Sequence, residues 1–440
     1  MSHATSATDT DLATEGTICV VGLGYVGLPL ALAFAEEGRD VIGFDVSAEK
    51  VEQFQNGEDP TGDFGADKIA ATEATFTVDP TAIGEADVVI IAVPTPVDGH
   101  GTPNLDYITG AGETVGEHMS PRTTVVLEST VYPGVTREEL VPAIEKASGF
   151  TLGEEFEVGY SPERVSPGDA GRGLRDVQKI VSGNTTAARE QIAGLYETVV
   201  DAGVYCAPDI KTAEAAKAIE NVQRDINIAL VNELAIASEH MGLDAREVLK
   251  AAGTKWNFHD EYRPGLVGGH CIPVDPHLFA YGSEQAGFVP ELVEQARDIN
   301  EYVPSHVAEL VRKAMNDTGN VPKDSRVLLL GVAYKGNVGD IRTSKVDKII
   351  EDLQGYGVEI VAHDPHADDD AVRTNFGVEV QEDVSFEGYD GVIVGTGHDA
   401  FDDIDVADLG GLNGDGFVVD VPGVFDQDTL GAAGIAYRRL

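Results

Sequence analysis

The sequence predicts an α/β protein in which two Rossmann-like doubly wound parallel-sheet domains are joined by a central helical connector. Two alternating series of short apolar runs and helical patterns, separated by a long apolar-periodic segment, predict this arrangement. The length of 440 residues is also too great for one ordinary core. We therefore expect a flexible tail over 1–16, a first α/β domain over 17–208, a helical middle section over 209–318 and a second α/β domain over 319–440.

The first α/β domain opens with a β-α-β unit. A strand over 18–21, a glycine turn, a helix to about residue 37 and a second strand over 41–45 follow one another. Continuous apolar runs are typical of parallel strands, because helices cover both faces of such a sheet. Three more runs of this kind occur at 87–93, 123–127 and 177–182.

The middle section and the second α/β domain continue with the same kinds of pattern. A long apolar-periodic helix is predicted over 209–240, ended by Gly242, and a second helix over 291–314. A strand then begins at 325 and a helix near 343. Further apolar runs lie at 358–364, 391–396 and 416–421. This alternation predicts the second doubly wound sheet.

The charge balance excludes several classes of partner. The chain has 76 acidic and 30 basic residues, a formal net charge of −46. Such a field repels nucleic acid and anionic lipid, so we expect neither as a partner, and the solvated surface favours a salt-rich cytosol. No run reaches the roughly 18 apolar residues of a membrane span, and 1–16 lacks the pattern of a signal peptide. We therefore expect a cytoplasmic protein.

The glycine-rich segment VVGLGYVG predicts a dinucleotide site. It lies between a strand and a helix, so the backbone can turn tightly and the helix N-terminus can face a pyrophosphate. An acidic residue at the end of the next strand accepts hydrogen bonds from the adenosine ribose and repels a 2′-phosphate, which favours NAD over NADP. A glycine turn needed only for packing is the alternative. The predicted NAD site includes Gly22, Gly24, Tyr25, Val26, Gly27 and Asp45.

Two further pairs of polar residues lie where ligands or reacting groups are expected. Thr95 and Thr130 follow apolar strands, at the sheet edge where doubly wound folds bind ligands, and we assign them to the cofactor site. Lys217 and Asn221 lie one turn apart on the long helix. A lysine there can stabilise charge developing on an alcohol or carbonyl oxygen, and the amide can position water. Turn residues and a solvated helix face are the alternative interpretations.

The three cysteines differ in their surroundings. They are too few for a disulfide framework and lack metal-ligand spacing, so we predict reduced thiols and no metal site. Cys19 lies within an apolar strand, and Cys206 is also expected to be structural. Only Cys271 lies in a glycine-rich loop with polar neighbours, where a reactive thiolate is favoured over a buried, inert cysteine.

The loop around this cysteine reads YRPGLVGGHCIPVDP. Gly265, Gly268 and Gly269 allow the backbone to approach a ligand closely. Asp275 is near enough in sequence to be placed beside the thiol of Cys271. We therefore predict that this loop carries the central chemistry.

The chain resembles the UDP-glucose/GDP-mannose dehydrogenase family from the end of the tail onward. The resemblance is carried by GLGYVG, VPTP, ESTVYPG, YSPERVSPGD, the helix with Lys217 and Asn221, GGHCIPVDP and GVAYKGNVGDIR. Within the family, KWNF, PGLVGGHCIPVDP and SPERVSPGD are most similar to the UDP-N-acetylglucosamine or UDP-N-acetylgalactosamine 6-dehydrogenases of Vi-antigen-type polysaccharide pathways. His270 also favours an N-acetylated sugar, since enzymes acting on UDP-glucose more commonly carry serine before the cysteine.

The resemblance implies an NAD-dependent, four-electron oxidation of the C6 hydroxyl of a UDP-N-acetylhexosamine to the uronate, for surface polysaccharide or glycan synthesis. UDP-N-acetylglucosamine is the expected substrate. The aldehyde would add to Cys271 as a thiohemiacetal, become a thioester and be hydrolysed. In this scheme Lys217 and Asn221 support oxyanion and water, Asp275 assists them, and Glu163 is the base for hydrolysis.

The resemblance also implies binding roles. The domain over 17–208 becomes the NAD-binding domain and that over 319–440 the UDP-sugar-binding domain. Lys335 should contact the UDP-sugar and Arg342 the cofactor, with plain surface charge as the alternative, while Arg263 should reach the substrate of a partner subunit in a homodimer built through the central helix. The other predicted substrate contacts are Glu163, Arg164, Lys217, Asn221 and Gly268.

Other interpretations remain open at this point. UDP-glucose and UDP-N-acetylmannosamine are alternative substrates. A β-hydroxyacid dehydrogenase would share the Rossmann domain and the Lys-xxx-Asn pair, but it performs one two-electron oxidation without a cysteine, so Cys271 and the second α/β domain argue against it. A non-catalytic sugar-nucleotide-binding protein would not need the full set of reactive residues.

Overall fold

The computed structural model describes residue 12 and the ranges 14–62, 64–165 and 172–440. Most of the predicted tail over 1–16 lies outside these residues, as does the SPERVSPGD motif from Ser166 onward. The chain forms two compact units, one of residues up to Glu220 with His277–Val289 and one of Asn221–Pro276 with Pro290–Leu440. The domain boundaries predicted at 208 and 318 stay predictions.

The first unit contains an eight-stranded sheet with the order β3-β2-β1-β4-β5-β6-β7-β8. Its strands are β1 Ile18–Val21, β2 Val41–Phe44, β3 Thr75–Thr77, β4 Val88–Ile91, β5 Thr124–Leu127, β6 Glu157–Tyr160, β7 Lys179–Gly183 and β8 Val204–Cys206. Its main helices are α1 Gly27–Glu36, α2 Ala48–Gln55, α3 Ala66–Ala71, α4 Asp106–His118, α5 Val141–Ser148 and α6 Thr186–Glu197. The order of the first six strands is that of a dinucleotide-binding fold.

The direction of β7 corrects one expectation. The apolar run over 177–182 was expected to be a parallel strand, but β7 pairs with β6 antiparallel, with Tyr160 opposite Ser182. A parallel neighbour requires a crossover, usually a helix, and the described residues between these strands, 161–165 and 172–178, form none. Strand β8 then pairs parallel to β7. Burial on both faces produces the apolar run in either direction, so the run alone could not reveal the orientation.

Packing on both faces of the first sheet explains its continuous apolar strands. On β1, Val20 belongs to a core cluster that includes Phe34 of α1 and Tyr196 of α6. The next residue, Val21, belongs to a second cluster with Leu127 of β5. Because alternate residues on a strand point to opposite faces, both sets of side chains must be apolar.

The second unit contains a six-stranded sheet in the order β11-β10-β9-β12-β13-β14, in which every pair is parallel. Its strands are β9 Arg326–Leu330, β10 Glu359–His363, β11 Glu379–Val380, β12 Gly391–Val394, β13 Phe417–Asp420 and β14 Ala436–Arg439. The remaining helices are α7 Ile210–Met241, α8 Ala245–Ala252, α9 Asp275–Gln285, α10 Glu291–Thr318, α11 Val346–Gln354, α12 Asp369–Phe376 and α13 Gln427–Ala432. Two doubly wound sheets linked by long central helices confirm the predicted fold class.

The ends of the helices have local causes. The helix predicted over 209–240 is α7, and it stops before Gly242, whose φ of 68° is left-handed. The helix predicted from near 343 begins only at Val346, because Thr343 has a φ of 60°. Among the described residues, no helix is long and apolar enough to cross a membrane.

Candidate active site

The three glycines of the cofactor loop serve different purposes. Gly22 has a φ of 95°, and a Cβ on Gly27 would lie 1.8 Å from the carbonyl oxygen of Gly22, so both are required by the turn between β1 and α1. A Cβ on Gly24 would meet no atom within 4 Å. The space beside Gly24 therefore allows a pyrophosphate to approach the backbone at the start of α1, which fits a dinucleotide.

The carboxylate of Asp45 lies directly after β2 and is tied to the same loop. Its oxygens accept the N–H groups of Leu23 and Ser47, both at 2.9 Å, and it pairs with the ammonium of Lys50 at 3.0 Å. Burial alone would raise the pKa of Asp45, but these donors together lower it below its ordinary value. An ionised carboxylate here suits ribose hydroxyls. Lys50, in the first turn of α2, was not identified from the sequence, because its partner lies on another element.

The other predicted cofactor residues of the first unit lie close by in the fold. Tyr25 is partly exposed at the loop, and Val26 immediately precedes α1. Thr95 and Thr130 follow β4 and β5, and the hydroxyl of Thr95 donates to the carbonyl of Thr130 at 2.6 Å. The structure thus brings these two threonines together at the carboxyl edge of the sheet.

Glu163 and Arg164 have fixed partners within the first unit. One carboxylate oxygen of Glu163 accepts the N–H groups of Arg164 and Val165, each at 2.6 Å. The guanidinium of Arg164 forms a two-point ion pair with Glu220, with nitrogen–oxygen distances of 2.6 and 3.2 Å. The side chain predicted to contact substrate is therefore already paired to α7, and a substrate role for Arg164 stays a prediction.

A buried group of charges next to Glu163 was missed by the sequence analysis. The ammonium of Lys179, on β7, lies 2.8 Å from Glu128 and 3.9 Å from Glu163. Both Lys179 and Glu128 are almost fully buried, with exposed side-chain fractions of 2% and 0%. A signal was present in the sequence, since a lysine inside an apolar strand requires a buried partner.

In the second unit, the loop with the thiol is held by a buried polar pair. The amide of Asn221 donates to the carboxylate of Asp275 at 2.5 Å, and both residues are buried. The N–H groups of Val274 and Asp275 donate to the carbonyl of Cys271 at 3.0 and 2.9 Å, which makes a tight turn into α9. Cys271 itself is half-buried. The structure therefore joins the Asp275 carboxylate to Asn221 and the Asp275 backbone to the residue that bears the thiol.

The glycines before the thiol approach another loop of the same unit. A Cβ on Gly269, whose φ is 92°, would lie 2.9 Å from the ring of Tyr334, and one on Gly268 would lie 2.9 Å from the carbonyl of Thr343. Gly265 exchanges two hydrogen bonds with Asn232 of α7. The contacts that require glycine at Gly268 and Gly269 are thus internal, and their approach to a ligand stays a prediction.

His270 connects the thiol loop to the segment GVAYKGNVGDIR. Its Nε2 lies 3.0 Å from a carboxylate oxygen of Asp340. The guanidinium of Arg342 donates two hydrogen bonds to the same carboxylate, with nitrogen–oxygen distances of 3.0 and 2.8 Å. Burial opposes ionisation, but hydrogen bonds from His270 and Arg342 hold the pKa of Asp340 well below its usual range. Lys335 is half-buried in the same segment, whereas Arg263 is exposed and donates to the carbonyl of Tyr262 at 2.9 Å.

The remaining predicted residues differ in burial. Lys217 is buried on α7, one turn before Asn221. Cys19 is buried in β1, and burial raises the pKa of its thiol to about 12, whereas Cys206 is exposed on β8. Among the described residues, no group of three or more His, Cys, Asp or Glu side chains could hold a metal ion.

Comparison with protein families gives three matches that together span most of the chain. The UDP-glucose/GDP-mannose dehydrogenase family matches through its NAD binding domain at residues 16–200, its central domain at 211–302 and its UDP binding domain at 328–427. The first match confirms the predicted NAD cofactor. The third confirms that a UDP-binding domain is present.

Individual relatives cover nearly the whole chain. The UDP-N-acetyl-D-glucosamine 6-dehydrogenase of Salmonella typhi is 42% identical over 406 residues, which cover 92% of this chain and 95% of that protein. Protein CapL of Staphylococcus aureus is 41% identical over 421 residues, covering 96% of this chain and 99% of that protein. The structure of UDP-D-ManNAc dehydrogenase from Pyrococcus horikoshii has a TM-score of 0.85 at 30% identity, covering 96% of this chain and 98% of that one.

Proposed function

This chain belongs to the UDP-glucose/GDP-mannose dehydrogenase family as an NAD-dependent UDP-sugar dehydrogenase, and we propose that it oxidises C6 of a UDP-N-acetylhexosamine to the uronate through a thioester on Cys271. The observation that carries the proposal is the buried hydrogen bond between Asn221 and Asp275. The backbone N–H of the same Asp275 donates to the carbonyl of Cys271 and so fixes the turn that bears the thiol. A loop held in this way keeps the thiol in one position while the sugar passes through two oxidation states.

The proposed reaction assigns each step to a named side chain. When bound, NAD would accept the hydride in each of the two oxidations, and the hydroxyl on the oxidised carbon gives up its proton to solvent each time. After the first, the sulfur of Cys271 adds to the aldehyde carbon, its proton passes to the oxygen, and Lys217 with Asn221 stabilises the developing negative charge. The second hydride leaves the thiohemiacetal carbon and a thioester remains.

Hydrolysis completes the proposed cycle. Glu163 takes a proton from water and the resulting hydroxide adds to the thioester carbon. The carbon–sulfur bond then breaks, and the remaining hydroxide proton passes to the sulfur to give the uronate and the free thiol of Cys271. Asp275 assists by fixing the amide of Asn221 at 2.5 Å. Lys335 and Gly268 would bind the UDP-sugar, and Arg342 the cofactor.

The stoichiometry of NADH tests this mechanism. We expect two NADH for each uronate from the wild-type chain, and no uronate from Cys271→Ala. Cys206→Ser is the matched control, because this exposed cysteine lies on β8 and should leave the stoichiometry at two. One NADH per product would support a single-oxidation dehydrogenase instead, and bound sugar nucleotide without any NADH would support a non-catalytic binding protein.

We propose UDP-N-acetylglucosamine as the substrate. The support is the Salmonella relative named for that activity at 42% identity, and His270, which the resemblance associates with N-acetylated sugars. The dehydrogenase from Pyrococcus horikoshii keeps UDP-N-acetylmannosamine as a second candidate. Measurement of kcat/KM for both, for UDP-N-acetylgalactosamine and for UDP-glucose decides between them, and a preference for UDP-glucose would make the substrate proposal wrong.

We propose that the enzyme acts in a salt-rich cytosol and supplies surface glycans. We also propose a homodimer formed through α7, in which Arg263 reaches the partner's substrate. The apolar side chains of Leu230 and Met241 on α7 are 63% and 61% exposed, which suits a second copy of the chain. Light scattering in concentrated salt tests this, with Leu230→Asp expected to give a monomer. A monomeric wild-type chain would contradict it.

A further inference from the structure

Three buried side chains next to Glu163 have no role in the reaction as proposed above. Glu128 follows β5, Lys179 begins β7, and Tyr196 lies on α6. The ammonium of Lys179 lies 2.8 Å from one oxygen of Glu128, and the hydroxyl of Tyr196 donates to the other. The ring of Tyr196 also lies 5.2 Å from the ammonium. These contacts account for both Glu128 oxygens.

Stability does not explain why the fold keeps charges here. Exposed fractions of 2% for Lys179 and 0% for Glu128 mean that both ions have left water, which costs several kcal/mol for each ion. Apolar residues of similar volume are often at least as stable in such a position. A buried ion pair between two strands of an otherwise apolar sheet therefore calls for another role.

Glu163 is the second carboxylate that faces this ammonium. One of its oxygens is occupied by two backbone N–H groups, and the other lies 3.9 Å from the nitrogen of Lys179. Two carboxylates thus share one cation. In agreement with this, burial raises the pKa of Glu128 to about 7, with Lys179 opposing the increase and the charge of Glu163 adding to it.

We propose that Lys179 is a positioning residue that orients the carboxylate of Glu163 and sets how readily it accepts a proton, and that Glu128 and Tyr196 hold Lys179 in place. The proposal rests on the proposed function of Glu163 as the base for thioester hydrolysis. Lys179 does not touch the reacting atoms in this scheme. It acts only through the carboxylate 3.9 Å away.

Two other ionisable groups near Glu163, within the described part of the chain, have partners of their own. Arg164, the next residue, is paired with Glu220 of α7 at 2.6 Å. The phenol of Tyr196 stays protonated, because burial and the charge of Glu128 raise its pKa well above the ordinary value. The ion pairs described above therefore leave Lys179 as the cation that Glu163 faces, with Glu128 competing for it.

The test is the pH dependence of thioester hydrolysis in single turnovers, measured by rapid acid quench with NAD and UDP-N-acetylglucosamine. Lys179→Met removes the cation that favours the ionised form of Glu163, so this carboxylic acid should keep its proton to higher pH. We expect the acid limb of the hydrolysis rate to move up by about one pH unit or more. The rate of the first hydride transfer should change much less.

Glu128→Gln provides the opposite change. This substitution removes the carboxylate that competes with Glu163 for the ammonium of Lys179, so the acid limb of the hydrolysis rate should move to lower pH. Non-specific damage to the fold would not shift two variants in opposite directions. The double variant Glu128→Gln/Lys179→Met removes both charges and should lie between the single variants. Shifts in the same direction, or an unchanged limb in all three, would overturn the proposal.

Glu163→Gln separates this inference from the function on which it rests. If hydrolysis in that variant is as fast as in the wild type, Glu163 is not the base and both proposals fall. If Glu163→Gln stops hydrolysis but the Lys179 and Glu128 variants keep the wild-type pH profile, only the positioning role is wrong. NAD affinity, measured by fluorescence titration, checks that each variant keeps the folded first unit.

Discussion

Asp45 in the first unit and Asp364 in the second each follow the second strand of a doubly wound sheet. Both sheets have the same central strand order, third-second-first-fourth-fifth-sixth. One oxygen of each aspartate binds the loop after the first strand, at Leu23 N in the first unit and at Val332 N, 2.8 Å away, in the second. In both units, therefore, an aspartate after the second strand accepts a backbone N–H of the loop after the first strand.

The partners of the two aspartates differ. Asp45 pairs with Lys50, whose side chain is 33% exposed. Asp364 pairs with His398 at 3.1 Å, and both are buried, while the other ring nitrogen of His398 accepts the N–H of Asn337 at 2.9 Å. Both aspartates are buried, so the difference lies in the partner: His398 is enclosed with Asp364, whereas the ammonium that pairs with Asp45 reaches solvent. If the prediction for Asp45 holds, the same fold position serves a ligand in one unit and internal packing in the other.

The largest expected effect is on the stability of the second unit. Asp364→Ala leaves His398 and several backbone N–H groups without an acceptor, and we expect a loss of about 3–5 kcal/mol in the free energy of unfolding of that unit. Hydrogen exchange of amides in β9 and β12 measures it. Asp370→Ala, at an exposed aspartate of α12, is the control. A loss below about 1 kcal/mol would show that the buried position is not structural.

The next effect is on cofactor affinity. Asp45→Ala removes the predicted acceptor for the ribose hydroxyls, and we expect the Kd for NAD to rise roughly 10- to 100-fold, or about 1.4–2.7 kcal/mol. Isothermal titration measures it, with the exposed Asp67 as the control site. Amide exchange in the second unit should not change. An unaltered Kd would remove Asp45 from the cofactor site.

The third effect is the pH dependence of the free energy of unfolding. Burial raises the pKa of Glu128 from its ordinary 4.5 to about 7, so the folded first unit binds more protons than the unfolded chain between these values. The first unit should gain about 1–3 kcal/mol as the pH falls from 7 to 4.5, and lose it as the pH rises through 7.

Asp364 has the opposite sign. Hydrogen bonds from His398 and backbone groups hold the pKa of Asp364 well below its usual range despite burial, so its contribution persists above about pH 4 and is lost only in stronger acid. Exchange of first-unit amides, corrected for the intrinsic effect of pH, should therefore show a gain that Asp364 does not produce in the second unit. Glu128→Gln should reduce this gain, and an unchanged pH response in that variant would assign it to another group.

The smallest effect is expected at Lys50. Its ion pair with Asp45 is partly exposed, so Lys50→Met should change the stability of the first unit by about 0.2–1 kcal/mol. Concentrated salt should reduce this difference further, because it screens exposed charges. Chemical denaturation at low and high salt measures it. A loss comparable to that of Asp364→Ala would contradict the distinction between open and buried pairs.

The sequence was a good guide wherever a feature depends on neighbours along the chain. The glycine loop was predicted because Gly22 and Gly27 serve a local turn, and α7 because its period and Gly242 are local signals. The thiol loop was predicted from Cys271 and its glycines. The direction of β7 was wrong, since strand orientation depends on the connection between strands.

Contacts between distant residues were the larger part of what sequence reasoning missed. Glu128 and Lys179 are 51 residues apart, and His270 and Asp340 are 70 apart. Each is an ordinary polar or charged residue in its own segment. Only the sheet and the loop packing bring each pair within hydrogen-bond distance and, for Glu128 and Lys179, remove water.

The amino-acid sequence by itself determined the family, the fold class and the NAD cofactor, and it predicted the cofactor loop and the reactive thiol, because periodicity and glycine turns act over a few residues. The tertiary structure decided which carboxylates compete for one cation and which have an enclosed or a partly exposed partner. It did so because the charge state of a side chain depends on burial and on partners that chain folding brings together. Asp45 and Asp364 have the same chemistry, and their surroundings alone give them different partners.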